Sequence, residues 1–401
     1  AQMGVDLAET GTFMHRYALF EEVIPLEIAW APLQPVGYHI PRNDFGDCPS
    51  VWATGASVLL AGGYLLLGEA GLYVTTPVIA LLSLAATWAL VQEILRGKAK
   101  GIRYTTGALA VVLLATSPEH VDRLMVPMAD APAQLFTILT LLFSLRGMRN
   151  LEKGQRGLWS FFLAGVTFAW ASWVRHTQLV LALPAGLAVI LGYRAWIKGS
   201  GAGQRRASIS RRVSAILLPL GVFFGAALLA AVPDILYRWR VFGGPFATET
   251  TELPLMGLQH IGPVAWQMLR DALASGEWGY LFPLALFGGY LLVRERRAES
   301  LILGSAFAAV LLVHLTYHTL RLRDLISVFP LVELSVAYGA VSLVRRARAV
   351  LPVGGRTPKR PARLGTSLLP VAVVAWIILS LALSRWDMIE NLWKRGWASF
   401  G

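Results

Sequence analysis

The chain has 401 residues, of which 55% are hydrophobic and 15% charged, and its mean hydropathy is +0.56. Soluble domains carry about 25% charged residues, so this composition excludes an ordinary soluble domain and predicts an integral membrane protein. The formal net charge is +12, but no module of combined basic and aromatic residues occurs, and we therefore predict no nucleic-acid partner.

Apolar segments follow one another along the whole chain, and most approach the ~17–25 residues that a spanning helix needs. They predict an all-α fold, a polytopic transmembrane helical bundle. The segments are 51–68, 75–95, 104–117, 131–146, 157–174, 177–195, 213–233, 279–294, 300–318, 325–345 and 367–385.

Basic residues indicate the orientation of these segments. Of the 36 Lys and Arg residues, 24 lie in five short connections, and the connections between them are poor in Lys and Arg. This alternation is the positive-inside pattern, which places the basic connections in the cytoplasm. The basic connections are 96–103, 146–156, 194–212, 294–297 and 345–363.

We therefore predict a single integral membrane domain over residues 1–401. It would comprise an external segment (1–74), a transmembrane bundle (75–385) with an external loop (234–278), and an external tail (386–401). Because 1–50 and the start of 75–95 would both be external, segment 51–68 cannot cross the membrane completely. We interpret it as a re-entrant or interfacial helix beside ten full spans. A full span with a cytoplasmic N-terminus is the alternative.

A lone carboxylate, Asp130, directly precedes an apolar run in the stretch "PMADAPAQLF". One interpretation is an N-cap of a helix that begins at Ala131, because Asp is a good cap and Pro suits the first turn. The other is a general base at the external membrane boundary, and the two are compatible. Glu119, His120 and Asp122 on the same predicted loop are either a solvated loop or ligands for a metal ion or an acceptor.

Two external turns carry cations that can bind a phosphate by bidentate hydrogen bonds. Arg175 and His176 lie in "WVRHTQ", and Arg321 and Arg323 lie in "HTLRLRDL". Interfacial snorkelling is the alternative for Arg175. Asp324 can pair with either of the two later arginines.

Three further features carry weaker hypotheses. Glu333 lies inside a predicted span, where an ionisable group is costly and marks a functional site by default; it would pair with an arginine or face water. His314 and His318 are one helical turn apart, which suits metal ligation, but no third ligand is evident. Glu249, in the external sequence "FGGPFATETTEL", is a candidate for acceptor contact, as is its neighbour Glu252.

Six stretches in order resemble one enzyme class: "LAETGTF", "CPSVWATGASVLLAGGYLLLG", "LLATSPEHVDRLMVPMADAPAQLF", "FAWASWVRHTQLVLALPAGLAVIL", "VFGGPFATET" and "HTLRLRDLISVFPLVELSVAYGA". The chain resembles the GT-C class of glycosyltransferases, in particular the bacterial branch related to protein O-mannosyltransferases and lipid A aminoarabinose transferases. The resemblance implies a multi-pass enzyme of the bacterial inner membrane, with membrane lipid and a polyprenyl-phosphate sugar donor as partners. Its active site would face outward.

The resemblance assigns the catalytic carboxylate to Asp130, because "PMADAP" matches the second acidic motif of the family. With it we predict a substrate-binding set and a possible divalent metal ion held by Asp130 and Glu119. The substrate-binding set is Arg175, His176, Arg321, Arg323, His120 and Glu249.

The first acidic motif of the family normally stands just ahead of a stretch like "LAETGTF", and Asp6 and Glu9 do not match it. We therefore expect that a helix carrying it precedes Ala1, or that the acid is absent. In the second case the alternative function is a non-catalytic scaffold subunit of a membrane complex with protein partners. A transporter of lipid-linked sugars is a third hypothesis, although the paired broken helices of transporters are not evident.

Overall fold

The computed structural model is dominated by α-helices. It describes residues 1–17, 37–39, 42–43, 45–199, 209–245, 247, 253–274, 277–319, 321–349, 371–372, 374–383, 385–386 and 390.

Most α-helices of the described residues overlap the predicted apolar segments, and the all-α, polytopic fold class is confirmed. In chain order they are α1 (Gln2–Thr10), α2 (Gly55–Leu67), α3 (Glu69–Ile94), α4 (Lys100–Ala115), α5 (Pro118–Leu124), α6 (Asp130–Glu152), α7 (Leu158–Val174), α8 (Ala182–Gly199), α9 (Ile209–Phe242), α10 (Ile261–Ala274), α11 (Phe282–Glu295), α12 (Arg297–Leu315), α13 (Phe329–Ala349) and α14 (Val374–Leu383). Short 3₁₀ helices are His176–Leu181, Leu253–Leu255, Leu258–His260, Gly279–Leu281 and Leu322–Val328.

Among the described residues, six helical stretches are long and apolar enough to cross a membrane. The chain is therefore a multi-pass membrane protein, whereas the total of ten spans stays a prediction. The re-entrant segment corresponds to α2, whose 13 residues are fewer than the roughly 20 that a perpendicular span needs. The six stretches are Glu69–Ile94, Asp130–Glu152, His176–Lys198, Val213–Phe242, Arg297–Leu315 and Leu322–Arg346.

The described chain forms two compact units. The first comprises Ala1–Ser83 and Arg123–Leu258. In it α1 packs on α2, and a two-stranded antiparallel sheet joins β1 (His15–Arg16) to β2 (Asp47–Cys48). The helices α6, α7, α8 and α9 of this unit pack on one another.

The helix pairs of the first unit approach closely because small residues line their contacts. A Cβ on Gly165 of α7 would lie 2.2 Å from the carbonyl oxygen of Phe223 on α9. Small residues play this part between membrane helices, where backbones must approach for van der Waals contact.

The second unit comprises Leu84–Asp122 and Gln259–Gly401, and its centre is α13 packed on α11 and α4. A Cβ on Gly288 of α11 would lie 1.8 Å from the carbonyl oxygen of Ser335 on α13, so only glycine permits this crossing. Helices α3 and α5 each include a boundary between the units.

One sequence-based boundary was wrong. The apolar segment that we ended at residue 233 continues as helix α9 to Phe242, with Pro233 inside the helix. Membrane helices tolerate proline because neighbouring groups satisfy the freed carbonyl. The predicted loop that carries Glu119, His120 and Asp122 contains a short helix, α5.

Candidate active site

Asp130 is the first residue of α6, and it does not cap that helix. Ala129 occupies the N-cap position, and no side-chain capping bond forms. Instead, Arg175 Nη2 donates a hydrogen bond of 2.9 Å to Asp130 Oδ1. The aspartate is 3% exposed. The interpretation of Asp130 as a helix cap alone is therefore wrong, because no capping bond forms and the carboxylate instead accepts from the Arg175 guanidinium.

Arg175 reaches Asp130 because helix α7 ends at Val174. The backbone of Arg175 is extended, with φ −148° and ψ 111°, and a 3₁₀ helix begins at His176. This break turns the side chain of Arg175 out of the helix. The side chain of Arg175 is 20% exposed, so the arginine is a partly buried partner of Asp130. Interfacial snorkelling of Arg175 stays an alternative prediction.

The ends of three helices meet at this point through small side chains. Ala56 of α2, Ala133 of α6 and Val174 of α7 form one buried apolar cluster. A Cβ on Gly55 would lie 2.7 Å from the backbone carbon of Trp173. The close approach of α2 to the end of α7 therefore depends on glycine at position 55.

A second ion pair lies in the same unit, near the end of α9. Arg238 Nε donates to Asp234 Oδ2 at 2.9 Å, one helical turn away. Thr54 Oγ1 donates to the other oxygen of Asp234 at 3.5 Å, and Trp173 Nε1 donates to Thr54 Oγ1 at 2.6 Å. These bonds connect α9 to the start of α2 and the end of α7.

His176 connects the two ion pairs along the chain. Its Nε2 is in hydrogen-bond contact with Arg238 Nη2. A guanidinium has donors only, so Nε2 must accept, and the ring proton is assigned to Nδ1. The consecutive residues Arg175 and His176 thus contact Asp130 and Arg238, respectively.

A cavity lies beside the second pair. Its volume is about 20 Å³, which is room for about one water-sized group. Polar and aromatic side chains share its wall, which includes His39, Ser50, Trp52, His176, Tyr237 and Arg238.

The second unit contains the remaining described candidates from the loop before α6. His120 is 2% exposed on α5, so the expectation of a solvated position is wrong for this residue. The backbone N–H of Glu119 donates to Glu277 Oε2 at 3.2 Å. Burial raises the pKa of the Glu277 carboxyl, and the Arg385 guanidinium together with hydrogen bonds from Ser117 and Glu119 opposes this rise.

The later cation pair lies at the start of the 3₁₀ helix before α13, with Arg321 at its N-cap. The backbone N–H of Arg321 donates to Asp324 Oδ2 at 3.2 Å, and the side chain of Arg321 is 62% exposed. The expected pairing of Asp324 therefore involves Arg321. Arg323 is half-buried on the same 3₁₀ helix.

Glu333 is fully buried, and its Oε1 accepts a hydrogen bond of 3.1 Å from Trp278 Nε1. His314 is buried near the end of α12, while His318 is exposed beyond it, with its ring centroid 6.4 Å from that of His260. Glu249 and Glu252 lie outside the described residues.

Within the described part of the chain, no group of three or more His, Cys, Asp or Glu side chains is arranged to hold a metal ion. Asp130 already contacts a guanidinium at 2.9 Å. These residues do not fit a metal centre as they stand, and a divalent ion held by Asp130 and Glu119 stays a prediction.

The sequence interpretation missed Thr54, Trp173, Asp234 and Arg238. For the last two a signal was present, since opposite charges four residues apart form pairs on helices. Because we ended the helix at residue 233, the four-residue spacing of Asp234 and Arg238 fell outside the predicted helix. The bond between Thr54 and Trp173 joins residues 119 positions apart, and it follows only from the packing of α2 on α7.

No family model matches the sequence, and no curated protein matches it. Solved structures do match this chain. ArnT from Cupriavidus metallidurans in the apo state has a TM-score of 0.52 and 16% identity, over 92% of this chain and 66% of that chain. The oligosaccharyltransferase of Archaeoglobus fulgidus in the apo form has a TM-score of 0.50 and 14% identity, over 96% of this chain and 55% of that chain.

Both matched proteins are GT-C glycosyltransferases. The chain therefore has the fold of GT-C membrane glycosyltransferases, as its motifs predicted. At these identities the likeness concerns the fold alone. The chain spans 66% and 55% of the length of the two solved proteins.

Proposed function

We propose that this chain is a glycosyltransferase that moves a sugar from a polyprenyl-phosphate donor to a hydroxyl acceptor outside the cytoplasm. The acceptor would belong to a protein, a lipid or a polysaccharide. The observation that carries this proposal is the ion pair of buried Asp130 with partly buried Arg175, at the ends of two apolar helices of a GT-C fold.

The chemistry requires a base and a cation at one place. The acceptor hydroxyl attacks the anomeric carbon, the bond to the lipid phosphate breaks, and the phosphate leaves with the bonding electrons. Asp130 receives the hydroxyl proton as general base. A guanidinium has five N–H donors, so Arg175 can orient Asp130 and also donate to the departing phosphate, whose charge it stabilises.

The other predicted residues take supporting parts in this proposal. His176 contacts Arg238 and so orients the second ion pair. Arg321 and Arg323 remain proposed phosphate ligands, and the exposure of Arg321 suits contact with a lipid headgroup. His120 is buried on α5. In this proposal it would affect the substrate only by holding that helix in position. No step is assigned to a metal ion.

The extracytoplasmic orientation rests on charge. The connection between α6 and α7 is one of the five basic connections, which positive-inside bias places in the cytoplasm. Asp130 begins α6 at its opposite end, and Arg175 follows α7. A bacterial inner membrane is the compartment that suits this arrangement.

A transfer assay with purified full chain in lipid nanodiscs tests the proposal. The donors would be labelled polyprenyl-phosphate hexoses and pentoses, and the acceptors a membrane extract. We expect Asp130→Asn to reduce sugar incorporation by about 100-fold or more, the usual contribution of a general base. The control is Asp122→Asn, which changes an exposed carboxylate before the same helix and should leave incorporation unchanged. Full activity of Asp130→Asn would contradict the assignment and favour the scaffold function.

A further inference from the structure

A basic surface lies in the second unit, at one end of three helices that pack together. Helix α13 packs on both α4 and α11. Nine Lys and Arg residues and only three Glu residues lie in segments 93–103, 294–299 and 345–346, which together we call the basic surface. We propose that the basic surface binds the headgroup of an anionic phospholipid in the cytoplasmic leaflet. This proposal does not depend on the transfer of a sugar.

Glu295 holds the segments of the basic surface together. Lys98 Nζ donates to Glu295 Oε2 at 2.5 Å, and the hydroxyl of Tyr338 donates to the same oxygen at 2.6 Å. Arg296 Nη2 donates to the backbone carbonyl of Arg96 at 2.5 Å. These bonds join the connection between α3 and α4, the end of α11 and helix α13. A surface whose parts are already joined loses less conformational freedom when it binds a ligand.

Several cations of the basic surface are available to a phosphate group. The exposed cations that form no ion pair with any described residue are Lys100, Arg294, Arg297, Arg345 and Arg346. A guanidinium donates paired N–H groups to phosphate oxygens, and a Lys ammonium binds phosphate as a point charge. A headgroup with a net negative charge therefore complements this surface better than a zwitterionic headgroup, which also brings a cation.

Apolar surface beside the cations favours a lipid over a soluble anion. Leu286, Tyr290 and Val293 follow one another at helical spacing along α11, and they are 62%, 59% and 57% exposed. This row leads directly to Arg294. A phospholipid can place its acyl chains against the row and its phosphate at the arginine, whereas a free phosphate contacts the cation alone. The positive-inside pattern assigns this end of the helices to the cytoplasmic leaflet, where basic pockets between membrane helices bind anionic headgroups.

Native mass spectrometry of the full chain, released from detergent micelles, tests the proposal. The titrated probe is phosphatidylglycerol, the reference is phosphatidylcholine with the same acyl chains, and glycerol 3-phosphate is the competitor without acyl chains. The test variant combines Arg294→Gln with Arg345→Gln. The charge-matched control combines Arg240→Gln with Arg270→Gln, two exposed cations of the predicted external segment.

We expect the wild type to bind its first phosphatidylglycerol more tightly than phosphatidylcholine. The test variant should weaken phosphatidylglycerol binding by about 30-fold, from the contribution of two cations at a membrane surface, and the control should leave it unchanged. Glycerol 3-phosphate should not displace the lipid.

Glu295→Gln separates a built site from diffuse attraction between charges. The substitution raises the net positive charge, but it weakens the bonds that Lys98 and Tyr338 make to residue 295. A built site therefore predicts that phosphatidylglycerol binding weakens by about fivefold, the equivalent of one lost hydrogen bond. Diffuse attraction predicts tighter binding. Tyr338→Phe, which changes no charge, should weaken binding in the same direction as Glu295→Gln.

Four results would overturn the proposal: equal affinity of the wild type for the two lipids, an equal loss in the control variant, tighter phosphatidylglycerol binding by Glu295→Gln, or displacement by glycerol 3-phosphate. The last result would assign the basic surface to a soluble phosphorylated ligand. Arg294 and Arg345 are exposed and form no ion pair with described residues, so their variant decides the question even if Glu295→Gln does not fold. None of these readouts depends on sugar transfer, and the two proposals fail separately.

Discussion

Replacing Arg175 by methionine should destabilise the protein, because it leaves the carboxylate of Asp130 buried without its guanidinium. The side chains of Asp130 and Arg175 are 5% and 20% exposed, and their atoms are 2.9 Å apart. Removing one partner of a buried ion pair costs about 3–5 kcal/mol. Since Arg175 keeps some contact with solvent, we expect Arg175→Met to lower the free energy of unfolding by about 3 kcal/mol, at the lower end of that range.

A double-mutant cycle isolates the pair from other effects of the substitutions. With Asp130→Asn and the double variant, the coupling energy should be about 2 kcal/mol, the range for hydrogen bonds to charged groups. The assay is unfolding in mixed micelles of SDS and a mild detergent. Arg270 and Asp271 are the control pair, with side chains 66% and 35% exposed, and their coupling should stay below about 0.5 kcal/mol. A coupling equally small for Asp130 and Arg175 would refute the pairing on which the proposed site depends.

Three other perturbations test the packing, the electrostatics and the topology. Gly55→Ala should cost about 1–3 kcal/mol of unfolding free energy, because its Cβ meets backbone at 2.7 Å. Gly62→Ala on the same helix, with nothing within 4 Å, should be neutral or stabilising; equal effects would contradict the close approach of α2 to α7. The pKa of Glu277 is raised above 4.5 by burial, so its contribution to stability should be largest below pH 4.5 and decline as pH rises through the folded-state pKa. Glu277→Gln should remove this pH dependence, and an unchanged stability profile would argue against its burial. A membrane-impermeant maleimide on intact cells should label Asp122→Cys but not Gln155→Cys, both exposed positions, and the reverse pattern would invert the topology.

Apolar length and charge bias located most of the helices, because both are local properties that a bilayer demands directly. The ends of helices were less predictable. Pro233 lies inside α9 although proline commonly marks a helix end in soluble proteins. The burial of His120 was not predicted, since the sequence alone does not show which face of a short helix meets neighbouring chain.

The candidate site was predicted in part. Asp130 and Arg175 were both selected, but as separate candidates: their pairing joins residues 45 positions apart and depends on the break after α7. The second pair and its bonds to Thr54 and Trp173 depend on glycine and alanine contacts among three helices. Such contacts follow from tertiary packing, which local propensity does not specify.

The most direct measurement of the central claim is the release of free polyprenyl phosphate from a labelled polyprenyl-phosphate sugar by the purified full chain in nanodiscs. The account predicts one polyprenyl phosphate released per sugar transferred, at a rate that falls about 100-fold or more in Asp130→Asn. Release at the same rate in wild type and Asp130→Asn, or release without any transferred sugar, would contradict it.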